Sequence, residues 1–112
     1  MATHKEYNGW FNYETWLVNL WMTNDQGSDE YWRETAQEAY DRASADTVCT
    51  REQRARITLA DILKEEIEST QPDTEGMWAD MMNAAISEVN WDEIAEHLID
   101  DVEKEVEESE EA

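Results

Sequence analysis

The chain has 112 residues and a mass of 13.1 kDa, which is room for one domain and no second. It carries 29 Asp and Glu against 8 Lys and Arg, a formal charge of -21, and a field of that sign repels phosphate backbones and anionic lipid, so direct nucleic-acid and membrane-surface binding are excluded. One cysteine, Cys49, forms no intramolecular disulfide, and neither a signal-like segment nor an apolar run of membrane length is visible, so the chain reads as a soluble cytoplasmic protein.

Three Gly, one Pro and a nearly continuous helical spacing of apolar residues predict an all-α fold. The expectation is a compact domain of four to five helices over residues 1–102, with an aromatic core and a frayed acidic tail over 103–112. In chain order, Asn12 caps a first helix whose stripe is Tyr13, Trp16, Leu17, Leu20 and Trp21, with Phe11 and Trp16 placed for a hydrophobic staple. A turn over Asn24-Asp25-Gln26-Gly27 leads to a second helix, capped by Ser28 or Asp29, that turns Trp32, Ala36, Ala39, Tyr40 and Ala43 inward and fades near Ser44 to Val48. Thr50 and Gln53 form a capping-box pattern ahead of a third helix with Ala55, Leu59, Ile62, Leu63 and Ile67 on one face, stopped at Gln71-Pro72. A fourth helix is expected from about Thr74 to Val89, with the cleanest stripe in the chain: Trp78, Met81, Met82, Ala85, Ile86 and Val89. Asn90 and Glu93 make a second capping box, and a fifth helix buries Trp91, Ile94, Ala95, Leu98, Ile99 and Val102. Helical spacing assigns Trp16, Trp21, Trp32, Trp78 and Trp91 to the core. Trp10, next to the flexible Gly9, either folds over the helix ends or anchors a partner.

Charge is distributed unevenly. Residues 1–60 hold 10 acidic and 6 basic side chains, whereas residues 61–112 hold 19 and 2. On the outer face of the fifth helix Glu93, Glu96, Asp100, Glu103, Glu107 and Glu110 recur at steps of three and four, flanked by Asp92, Asp101 and Glu108, and the third helix adds Asp61, Glu65 and Glu68. At a rise of ~1.5 Å per residue these steps average roughly 5 Å, so like charges stay adjacent at a cost of some tenths of a kcal/mol per pair. A solvated face is the plainer explanation of a charged stripe, but solubility alone does not call for an excess this large, confined to one half and so little relieved by Lys or Arg. A line of negative charge at this pitch imitates nucleic acid: at one charge per ~1.7 Å of duplex axis, the 17 excess charges of residues 61–112 match about 29 Å of DNA. Such a surface would occupy Lys/Arg pockets built for phosphate and associate fast by electrostatic steering.

Chemistry has little to work with. His4, His97 and Cys49 are the only residues of their types, which leaves no Cys/His zinc pattern, no nucleophile–His–acid set and no cofactor motif; Glu93 and His97 lack the second Glu-x-x-His copy of a di-iron bundle. An enzyme, a metal site and a cofactor are therefore not expected. Arg51, Arg54 and Arg56 open the third helix, where cations sit poorly against the dipole, and either pair with acidic helices inside the fold or contact an acidic patch on a partner or a second protomer.

The segments from Tyr7 to Val18 with Leu20-Trp21, and Asn90-Trp91-Asp92-Glu93-Ile94-Ala95-Glu96-His97, resemble a family of small acidic, Trp-rich proteins carried by phages and mobile elements, which brings no established activity with it. In charge, size and helical pattern the chain also resembles the antirestriction DNA mimics Ocr and ArdA. The two likenesses imply an anti-defence protein of the host cytoplasm that blocks a restriction–modification or CRISPR–Cas complex stoichiometrically. Its contact residues would be Asp61, Glu65, Glu68, Glu93, Glu96, Asp100, Asp101, Glu103 and Glu107, with Trp10 as apolar anchor, and a homodimer would imitate a longer duplex. The alternative is an acidic adaptor or chaperone-like module for a basic protein, driven by the tail after Glu103.

Overall fold

The computed structural model describes residues 5–111, without the side chains of Glu110 and Glu111, so His4 and the Glu110 carboxylate lie outside the described residues. These residues form five helices: α1 (Tyr13–Thr23), α2 (Gln26–Arg42), α3 (Arg51–Ser69), α4 (Gly76–Ser87) and α5 (Trp91–Glu111). The starts of α1, α2 and α3 have a local cause, whereas Glu75 gives α4 no side-chain cap. Asn12 Oδ1 accepts from Thr15 N at 2.9 Å to open α1, and Asp25 caps α2 by accepting from Ser28 N at 3.0 Å. The predicted turn is confined to Asn24 and Asp25, and Gln26 and Gly27 already belong to α2, because the cap is Asp25 rather than Ser28 or Asp29. At α3 the capping box forms in both directions, Gln53 N to Thr50 Oγ1 at 3.1 Å and Thr50 N to Gln53 Oε1 at 2.9 Å.

Packing assembles a compact all-α domain around α2, α3 and α5. Trp32, Ala36 and Tyr40 from α2, Ala55, Leu59 and Leu63 from α3, and Ile94, Leu98, Ile99 and Val102 from α5 make the core, with Met22 of α1 closing one end. The helix α3 runs antiparallel to α5: its first turn brings Glu52 beside Glu103, while Lys64 and Glu68 near its end share a cleft with Trp91. Beyond Val102, where the sequence suggested an end, α5 continues helically to Glu111. Val106 still packs against the core, and the Glu and Lys residues around it are good helix formers.

Two predicted core stripes are corrected. No residue of α4 is buried, Trp78 and Met81 being 63% and 55% exposed, and of its predicted stripe only Val89, just past the helix, is buried, with Ile86 packed against the core; on α1 Trp21 is 72% exposed with Tyr13 and Leu20 also outward. Of the five Trp assigned to the core, Trp32 and Trp91 are buried, Trp16 is half-buried, and Trp21 and Trp78 are not core. Periodicity states that residues share a face; it does not supply the element that covers that face. Here α4 is held at its flanks by Gln71 Nε2 donating to Asn83 Oδ1 at 3.1 Å and Asn12 Nδ2 donating to the Glu88 carbonyl at 2.6 Å, and only its Met82 and Ile86 side turns to the body. The radius of gyration, 15.6 Å, accordingly exceeds the about 13 Å of a tightly closed chain this long.

Candidate functional site

Burial of Leu98, Ile99 and Val102 against α2 and α3 fixes the rotation of α5. Glu96, Asp100 and Glu107 are thereby exposed on its outer side. Glu103 sits half-buried where α5 meets the first turn of α3, and its pKa is raised, first by burial and then by the charges of Glu52, Asp100 and Glu107. This acidic seam of two helices is the centre of the candidate site.

The seam has a cost that can be measured. Because the folded pKa of Glu103 lies above its unfolded value, the folded state holds the proton longer, and stability falls as pH rises through the window just above the ordinary Glu value. Glu103→Gln should therefore raise the melting temperature at pH 7 by about 2–4 °C, from some tenths of a kcal/mol per like-charge neighbour removed. Thermal melts from pH 7 down to below the Glu range should show this advantage vanish, and high salt should shrink it. A variant less stable than the parent at pH 7 would contradict the repulsion.

The other predicted contact residues separate into two groups. Asp61 and Glu65 are exposed along α3, and Glu68 turns into the cleft beside Lys64, Asn83 and Trp91, so from α3 it is Glu52 that joins the seam. Sequence reasoning passed over Glu52 because only the antiparallel register of α3 and α5 brings it to Glu103. Glu93 is a structural carboxylate: its Oε1 accepts from Phe11 N at 2.8 Å. Of the predicted second capping box only one half forms, Glu93 N to Asn90 Oδ1 at 3.1 Å, and Asn90 N goes instead to Thr15 Oγ1 at 2.9 Å. Asp101 lies 3.8 Å from Arg33 Nη1, and the guanidinium of Arg33 also holds Asp29 at 3.0 Å.

Trp10 folds over α5. Tyr7 and Trp10 exchange backbone hydrogen bonds of 3.0 and 2.8 Å across Asn8 and Gly9, both in the left-handed region at φ 47° and 84°, the conformation of a tight hairpin turn. This clamps the Trp10 ring onto His97, with centroids 4.3 Å apart and planes at 30°, half-buried against the core.

The basic cluster is used within the fold. Arg51 Nε donates to the Tyr40 carbonyl at 2.9 Å and the guanidinium lies 4.2 Å over the Tyr40 ring, so a cation misplaced at the start of α3 serves the end of α2. Arg54 pairs with Asp46 in the α2–α3 connection, where the amides of Cys49 and Val48, donating to Asp46, lower its pKa. Arg56 reaches α5: its buried Nε is 3.0 Å from Asp92 Oδ1 but is not aligned to hydrogen-bond it. Among the described residues no three His, Cys, Asp or Glu side chains converge as metal ligands, and no helix is long and apolar enough to cross a membrane.

No curated protein and no solved structure matches the chain. A family match does exist, and it spans residues 3–111. With nearly its whole length covered, the chain belongs to DUF7249, a family of unknown function.

Proposed function

We propose that the protein is a nucleic-acid mimic of a phage or mobile element, which binds a host restriction–modification or CRISPR–Cas complex in place of DNA and inhibits it stoichiometrically, without catalysis. The observation that carries this reading is the seam of Glu52, Asp100, Glu103 and Glu107, where two helices hold carboxylates together although folding is disfavoured by it. The overall charge density is in keeping. A net -21 over a longest dimension of 53 Å is about two thirds of the linear charge density of duplex DNA. Carboxylates on a helix also need no reorganisation to meet Lys and Arg pockets, and pairing with them releases the counterions that DNA would release.

The test is competition. Tagged protein is incubated with lysate of restriction- or CRISPR-proficient bacteria, and the captured complex is challenged with short duplex DNA and with salt. The expected result is one nuclease, methyltransferase or CRISPR complex, released by either challenge. Capture that ignores both DNA and salt would overturn the mimicry.

A further inference from the structure

Phosphate imitation has no use for an apolar surface, yet this molecule presents one at the end away from the seam. Met77, Trp78 and Met81 are 64%, 63% and 55% exposed, and they lie within two turns of α4. A separate, mostly apolar groove of about 370 Å³ lies between α1, α2 and the end of α3, where Trp21 and Trp32 line it with Ser28 and Thr70. Exposed Trp and Met side chains in one patch are the composition of interface anchors: large, adaptable apolar surface that gains most when water is excluded.

Charge selects the occupant. From Glu65 to Glu103 the chain contains 13 acidic residues and no Lys or Arg, so α4 and its flanks carry Asp73, Glu75, Asp80 and Glu88, while Lys64 lies in the cleft on the Asn83 and Ile86 side of the helix, away from Trp78 and Met81. A second copy would bring an identical acidic rim against this one, and anionic lipid would be repelled for the same reason. A helix with an apolar stripe and flanking Lys or Arg satisfies both the patch and the rim. We propose that the uncovered face of α4 is a docking surface for a cationic amphipathic helix of a partner protein, Trp78 and Met81 meeting its apolar stripe. This surface is separate from the seam and goes beyond DNA mimicry.

The probe is a synthetic peptide of about 14 residues made only of Leu and Lys, with Leu at i, i+3, i+4 and i+7 so that the bound helix has one apolar face. Labelled peptide is titrated with the full chain and followed by fluorescence anisotropy. Binding should weaken at least about tenfold in the double variant Trp78→Ser/Met81→Ser, and by a similar factor for a peptide of the same composition whose Leu positions are scrambled. Both side chains are exposed, so circular dichroism should be unchanged. Reversal of Asp100, Glu103 and Glu107 to Lys should change the affinity by no more than about threefold, since exposed rim charges act weakly at a distance. Equal binding by the double variant, or by the scrambled peptide, would reduce the effect to general attraction of cations and overturn the proposal. A concentration-dependent dimer in sedimentation that Trp78→Ser abolishes would make a second copy the occupant and overturn it equally. So would Trp78-dependent binding to vesicles of zwitterionic lipid.

Discussion

Reversing Glu96, Asp100, Glu103 and Glu107 to Lys is expected to abolish capture of the DNA-binding target while leaving the helices intact. Glu96, Asp100 and Glu107 are exposed, and none of the four side chains serves a cap or the core. At about 1 kcal/mol for each exposed charge pair turned from attraction to repulsion, four reversals amount to on the order of a thousandfold loss of affinity. Stability should move the other way, because lysines toward the end of α5 suit the helix dipole and relieve the crowding of Glu103 by Glu52, Asp100 and Glu107. Circular dichroism and thermal melts measure the second effect and the competition assay the first. Inhibition retained by a well-folded variant would count decisively against mimicry. Glu93 is left out of the set because its carboxylate holds Phe11 N, and reversing it would unfasten the N-terminal segment and confuse the two effects.

Asn12→Ala is expected to destabilise the fold by about 2–4 kcal/mol and lower the melting temperature by on the order of 10–20 °C. Asn12 is 5% exposed and Thr15 fully buried, and the pair joins three segments. Asn12 Oδ1 accepts from Thr15 N at 2.9 Å and from Thr15 Oγ1 at 2.6 Å; Asn12 Nδ2 donates to the Glu88 carbonyl; Thr15 Oγ1 accepts from Asn90 N. Truncation removes the α1 cap and also leaves buried partners unpaired, at a cost beyond an ordinary cap. Asp25→Ala, which deletes the exposed cap of α2, is the matched control and should cost about 1 kcal/mol. Equal losses in the two variants, measured by urea denaturation, would refute the tertiary role of Asn12. Asn12→Asp should fall between them, since it keeps the acceptor and loses the donor.

The helices themselves were legible from residues 5–111 because their determinants are local. The Thr50–Gln53 capping box, the Asn12 cap and the inward stripes of α2, α3 and α5 act over three to four residues, the range within which helix geometry fixes neighbours. The outward direction of Glu96, Asp100 and Glu107 followed from the same period, being the complement of Ile94, Leu98 and Val102. What the sequence could not state was which surfaces meet. A stripe on α4 looked like core and stays largely in solvent, and a carboxylate in the ladder, Glu93, proved to be an acceptor for a backbone amide 82 positions earlier. Tertiary structure also brought Glu52 to Glu103 and folded Trp10 onto His97. The physical reason is one of range: periodicity and capping are settled between neighbours on one helix, whereas the covering of a face and the company of a charge depend on the register between helices far apart in the chain.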